Sequence, residues 1–274
     1  MKSPQTVIVV RLCFFLLLLT ALSVQAAEVN KTLKLVSGHW PPYVEKDAPG
    51  GGAAIDLVSR ILKRAGYDTV ASIDSWPRSL QGSAIGIYDV LATAWFTKDR
   101  DRELQFSEPY YENVTRFIKR KDSPVRFRSY ADLKNLMVGV VTGRDYGEKF
   151  DQAQGFLRIA KSHVIENLLL MQQRRIDLTL GDEWVIRHEL TQYFPNAVNE
   201  FEFLPQPVSK RGLHIAVSRT RPDHKEIIHA FNKALAAMRA DGSMQKLLDR
   251  YRAELVHLGS TEHRPLQDTG GNKD

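Results

Sequence analysis

A chain of 274 residues that is 43% hydrophobic and 26% charged holds enough apolar material for one large domain or two modest lobes. Its formal net charge of +6 falls to +4 once Lys2 and Arg11 at the N-terminus are set aside. No basic block interleaved with aromatics follows, which argues against a nucleic-acid partner.

The first 26 residues have the pattern of a secretory signal. Lys2 and Arg11 give the positive start, Leu12 to Leu19 is a nearly unbroken apolar run, and Val24-Gln25-Ala26 presents the small residues that a signal peptidase reads. Cleavage is expected between Ala26 and Ala27. The apolar run is shorter than the about 20 residues that span a bilayer, so a membrane anchor is the weaker alternative. The one cysteine, Cys13, falls inside this run, leaving the rest of the chain without disulfide or thiol chemistry.

Strand and helix patterns then alternate. Leu33 and Leu35 alternate with polar neighbours as in a half-buried strand. Gly50-Gly51-Gly52 marks a flexible turn. Ile55, Val58, Ile61, Leu62 and Ala65 recur at helical spacing, and Gly66 stops the helix. Strands are expected over 89–96, 138–141, 177–180 and 213–217, and a helix over 164–173. Pro222 opens a long helix with Ile227, Phe231, Leu235 and Met238 on one face; Gly242 ends it, and Met244, Leu247, Leu248 and Tyr251 begin another. Past His257 the chain is polar and Gly-rich, as a loose tail would be. Alternating strands and helices predict an α/β fold with largely parallel sheets. The segments 88–93 and 176–181 echo each other, each placing an Asp before an apolar strand, which predicts two similar lobes with strand ends facing a crevice.

Four stretches carry a resemblance to a known family. They are "GHWPPYVEKDAPGGGAAIDLVSRILKRAG" (38–66), "TKDRDRELQFSEPYY" (97–111), "DLKNLMVGVVTG" (132–143) and "HKEIIHAFNKALAAMRADGSMQKLLDRY" (224–251). Over about 33–255 the chain resembles the extracellular solute-binding proteins of the polar amino-acid type, family 3, the periplasmic binding components of ABC importers. The resemblance implies a type II, two-lobed periplasmic-binding-protein fold with two hinge crossings. Lobe 1 would hold 28–112 and 213–256, lobe 2 117–206, and 257–274 the tail, with linkers near 111–116 and 204–212 joining two separate sheets.

The resemblance also implies site residues. Arg100, three after Thr97, would grip a ligand carboxylate, for which a guanidinium offers two parallel charged hydrogen bonds. Charge pattern alone leaves it a surface arginine among Asp99, Asp101, Arg102 and Glu103. Asp182 would pair with a ligand ammonium, or cap the helical-looking segment that follows it. Trp40, Tyr43 and Trp76 match positions of aromatic walls or would serve as core. Thr93 fits a small hydroxyl position, whereas Trp95 departs from one and would fill the pocket or cover the ligand. In the second lobe Asp145 and Tyr146 stand where a Ser/Thr pair is usual. An ionised Asp145 cannot donate a hydrogen bond.

The implied function is periplasmic binding of a small polar solute, an amino acid or related carboxylate, by closure of two lobes for delivery to an inner-membrane ABC permease. The alternatives are a sensing module acting in trans, or an enzyme resembling the cyclohexadienyl dehydratases with Asp182, Glu183 or Asp145 as the acid. The histidines show no HxxxH or HExxH pairing, and there is no phosphate or dinucleotide loop. No metal, cofactor or catalytic residue is expected, and the protein is expected to be a monomer.

Overall fold

The computed structural model describes residues 31–257, with side chains to 254. The signal segment, its cleavage point at Ala26 and Ala27, and the tail past 257 lie outside the described residues. Among the described residues no helix is long and apolar enough to cross a membrane.

Among the described residues nine strands and eight helices follow in order. They are β1 (Lys31–Gly38), α1 (Ala53–Arg64), β2 (Tyr67–Asp74), α2 (Trp76–Ala84), β3 (Val90–Trp95), α3 (Lys98–Asp101), β4 (Leu104–Phe106), β5 (Tyr111–Arg120), β6 (Met137–Val141), α4 (Glu148–Asp151), β7 (Leu157–Lys161), α5 (Val164–Gln172), β8 (Leu178–Asp182), α6 (Glu183–Tyr193), β9 (Phe201–Ser218), α7 (His224–Ala240) and α8 (Ser243–His257). The sheet order is β2-β1-β3-β9-β5-β8-β6-β7, with β4 also on β9. β1 and β3 are parallel, as are β8, β6 and β7. β9 and β5 run antiparallel to their neighbours.

This is an α/β protein of the two-lobed type, with one correction. The expected linkers are not loose connections between two sheets. They are the long strands β5 and β9, paired with each other from Tyr111↔Leu213 to Arg120↔Phe201, so hydrogen bonding is continuous through all nine strands. The physical reason is that backbone N–H and C=O groups inside the body of a protein must find partners. Pro205 and Pro207 argue against a central strand. They are accommodated because the register slips between Thr115 and Arg116 and again between Arg116 and Ile118. The sequence patterns also passed over β2, α2 and β7.

Alternation along β5 builds the core. Phe117 joins Val138, Phe150, Leu178 and Leu180 on one face of the sheet, and Ile118 joins Leu168, Ile186 and Phe201 on the other. In the first half Leu33, Leu35 and Val90 meet Val58 and Ile61 of α1 and Phe231 and Leu235 of α7. Each such side chain, fully buried, contributes about 1.5–3 kcal/mol relative to exposure. Gly50, Gly51 and Gly52 all have positive φ, and a Cβ on Gly52 would stand 2.7 Å from the Tyr43 carbonyl oxygen. This turn is therefore a fitted support for the loop carrying Trp40 and Tyr43, where the sequence pattern predicted a flexible one.

Gly139 in β6 offers a test of this packing. A Cβ there would lie 2.7 Å from both Asn167 Cγ and Ile176 Cδ1. Asn167 is buried and donates its amide to the Val140 carbonyl at 3.1 Å, so it cannot yield freely. Gly139→Ala is expected to lower stability by about 1–3 kcal/mol through overpacking. Urea unfolding should show a lower midpoint at unchanged slope; an unchanged midpoint contradicts the packing described.

Candidate functional site

Thr97 is the N-cap of the short helix α3, and its hydroxyl accepts the Arg100 N–H at 3.2 Å. The Thr-x-x-Arg spacing is thus a capping geometry that aims the arginine. Arg100 is half-buried. Its Nη1 donates to the Trp95 carbonyl at 2.9 Å, and its guanidinium lies 5.1 Å from the centre of the Trp76 ring. Among the described residues no carboxylate comes within ion-pair distance of it. Burial first, and the nearby Arg211 second, hold its pKa below the usual arginine range.

Arg100 faces a cleft of about 770 Å³. The cleft is walled by Trp40, Trp76, Trp95 and Phe96 and also reached by Thr93, Arg144, Asp145, Arg211 and His214. The buried Thr93 hydroxyl is engaged with Ser37 of β1. Arg211 pairs with Asp145 at 2.6 Å and stacks 5.0 Å from the Trp95 ring centre. That hydrogen bond holds the Asp145 carboxyl below the usual carboxylate range. Arg211 was not foreseen from sequence. Its signal was hidden because β9 was read as a linker there.

The expected site residues divide. The cleft brings together Trp40, Trp76, Thr93, Trp95, Arg100 and Asp145. Tyr43 and Tyr146 are buried, and Asp182 lies outside the cleft, at the edge of a second pocket of about 760 Å³ with Tyr111, Glu183 and Trp184. Tyr146 is a core residue whose hydroxyl accepts the Val141 N–H at 2.8 Å. Asp182 is 5% exposed and caps α6, with Oδ1 accepting the N–H groups of Trp184 and Val185 at 3.0 and 3.1 Å. The same oxygen takes the Tyr43 hydroxyl at 2.8 Å, while Oδ2 takes the Asn113 amide at 3.1 Å. Burial raises the Asp182 carboxyl pKa despite these four donors, and burial followed by the Asp182 charge pushes the Tyr43 hydroxyl well up.

Trp95 separates the two regions. Its indole N–H donates to Asn113 Oδ1 at 2.9 Å, and Asn113 in turn donates to Asp182. The only space shared by Trp95, Asn113, Asp145 and Asp182 among the described pockets is about 10 Å³, the room of a single water. Trp95 closes the space between the cleft and Asp182 while its ring lines the cleft. Edge-on contact with Trp40 at 5.7 Å, Trp40 against Tyr43 at 4.5 Å, and Tyr43 stacked on Trp184 at 5.6 Å continue the aromatic wall into the second half. Among the described residues no group of three or more His, Cys, Asp or Glu side chains is placed to hold a metal ion.

Comparison with known proteins gives the family and the fold. The family model for bacterial extracellular solute-binding proteins, family 3, matches residues 35–254. The ABC transporter arginine-binding protein 1 of Escherichia coli is 26% identical over 85% of this chain and 96% of its own length. The lysine/arginine/ornithine-binding periplasmic protein of the same organism is 26% identical over 77% of this chain and 84% of its own. Among solved structures, the L-cystine solute receptor of Neisseria gonorrhoeae in an unliganded open conformation aligns at a TM-score of 0.66. It is 22% identical, over 83% of this chain and 95% of the receptor.

Asp182→Ala is expected to remove the α6 cap and leave the Tyr43 hydroxyl and Asn113 amide without their partner. The combined loss should be about 2–4 kcal/mol. Urea unfolding measures it; a loss within experimental error would mean that Asp182 does not hold these elements.

Proposed function

The chain belongs to family 3 of the bacterial extracellular solute-binding proteins, and on that premise we propose that it closes on a small solute through a carboxylate held by Arg100. The solute is then delivered to an inner-membrane ABC permease. The observation that carries this reading is the state of Arg100. It is half-buried, aimed by its own helix cap, backed by the Trp76 ring, and without a carboxylate of its own among the described residues. A guanidinium held in this way can give a planar carboxylate two parallel hydrogen bonds. The amino acids in the names of the relatives all carry that group.

The relatives are named as periplasmic or extracellular binding proteins, which supports the same address for this chain. Export with cleavage between Ala26 and Ala27, a periplasmic address and a monomeric state complete the reading. Binding without catalysis is supported by the three carboxylates considered as acids, since each already has partners. Asp182 has four donors, Glu183 pairs with Arg116 at 2.9 Å and Arg187 at 2.7 Å, and Asp145 pairs with Arg211.

Arg100→Ala is expected to weaken ligand binding and leave the fold intact. Removing one partner of a buried charged pair costs about 2–5 kcal/mol, which is roughly 30-fold to several-thousand-fold in affinity. Arg100→Lys should restore only part, because an ammonium lacks the fork. Arg102, 80% exposed and two residues away, is the control. Calorimetric titration decides: equal losses in Arg100→Ala and Arg102→Ala would reduce the effect to general electrostatics and remove Arg100 from the site.

A further inference from the structure

The cleft carries a surplus of positive charge. Its lining carries three guanidinium groups, Arg100, Arg144 and Arg211, against one carboxylate, Asp145. That carboxylate is already spent on Arg211 at 2.6 Å. Arg100 and Arg144 have no ion-pair partner among the described residues. A ligand with a cationic head would enter a region with a net surplus of positive charge, and charges in a partly dry cleft interact more strongly than in water.

The second observation concerns the ammonium end. The carboxylate at which an α-amino group was expected, Asp182, is 5% exposed and has four protein donors. Trp95 and Asn113 stand between it and the cleft. From the cleft, a ligand ammonium would have to displace the Trp95–Asn113–Asp182 chain of hydrogen bonds to reach it. The walls that remain available are flat: Trp40, Trp76 and Trp95 all line the cleft. The Trp40 indole N–H is itself buried, so Trp40 offers the cleft its ring face.

We infer that the solute carries two anionic groups on a flat body and requires no ammonium, one anion resting on Arg100 and the other on Arg211 with Arg144. This rests on the proposed function, since it takes the same cleft as the binding site and specifies what enters it. Arg211 is suited to the second anchor because Asp145 and the Trp95 ring fix its position before ligand arrives. Prepositioned donors bind anions without paying to order a long side chain at that moment. The two guanidiniums also repel each other across the cleft, which is the second cause, after burial, of the lowered Arg100 pKa. A dianion between them removes that repulsion, whereas a monoanion removes part of it.

The test is calorimetric titration of the exported protein with the three benzenedicarboxylate isomers, benzoate, L-glutamate and L-arginine. The isomers differ only in the angle between their carboxylates, so the spacing of the two anchors need not be known in advance. At least one isomer is expected to bind roughly tenfold or more tighter than benzoate, the equivalent of about 1.4 kcal/mol for the second anchor. Arg211→Gln should abolish that preference, lowering affinity for the isomer more than for benzoate. Arg144→Gln, on an exposed side chain, should reduce it and serves as the readout should Arg211→Gln fail to fold by circular dichroism. Tighter binding of L-arginine than of every dicarboxylate, lost in Arg100→Ala, overturns the dianion inference and leaves the proposed function standing. Tighter binding of L-glutamate than of every isomer overturns the claim that no ammonium is required. Binding of any probe that ignores both Arg100→Ala and Arg211→Gln removes the cleft as the site, and both readings fall. Absence of dicarboxylate binding at millimolar concentration also overturns the inference.

Discussion

The antiparallel pairing of β5 with β9 is the constraint on which the rest of this structure depends. It joins the two halves, and its register also sets the site. Asn113 lies opposite Arg211, Thr115 of β5 lies opposite Asp182, and Trp95 of β3 lies opposite Leu213. Four polar or aromatic side chains from four strands are therefore neighbours because of ladder hydrogen bonds alone. A one-residue slip in this pairing would turn every side chain to the other face. The two register shifts near Arg116 occur beyond Asn113 and leave the Asn113–Arg211 pair in place.

Much of the fold can be read in the order of residues because local patterns there coincide with burial. The helix of Ile55, Val58, Ile61 and Leu62, ended by Gly66, and the helix of Ile227, Phe231, Leu235 and Met238 present faces that the core buries. Elements were missed where tertiary pairing overrides local signals. β9 runs through two prolines, which local reasoning treats as breaks, and 204–212 consequently passed for a linker. β2 and β7 are partly exposed and show no clean alternation. Motif segments likewise proved to be of two kinds. Thr97 and Arg100 serve the cleft, but the Phe-Ser-x-Pro-Tyr run that follows is structural. Ser107 accepts the Ile215 N–H through its hydroxyl, and Tyr110 reaches the Ala92 carbonyl at 3.0 Å.

The candidate site was readable in its first-half aromatics and in Arg100, because these lie within a few residues of recognisable segments. Arg211 could not be read, since its importance comes from Trp95 and Asp145, which are distant in sequence. Asp182 shows the opposite limit. Its position in the chain supported two roles; two of its four donors are the cap N–H groups of Trp184 and Val185, and the other two are Tyr43 and Asn113. Those last two, like Trp95 beside them, are distant in sequence, so no local pattern around Asp182 contains that information.

The Trp95 indole has a consequence for how such a receptor can change over evolutionary time. Asp182 is fully hydrogen-bonded, and its bonds to Tyr43, Asn113 and the first N–H groups of α6 tie the two halves together. A carboxylate held by such structural bonds stays in place whether or not any ligand uses it. A smaller residue at position 95 would open the cleft toward that carboxylate with no change to the acid itself. One substitution could therefore alter the chemistry offered to a ligand while the scaffold beneath it stays the same.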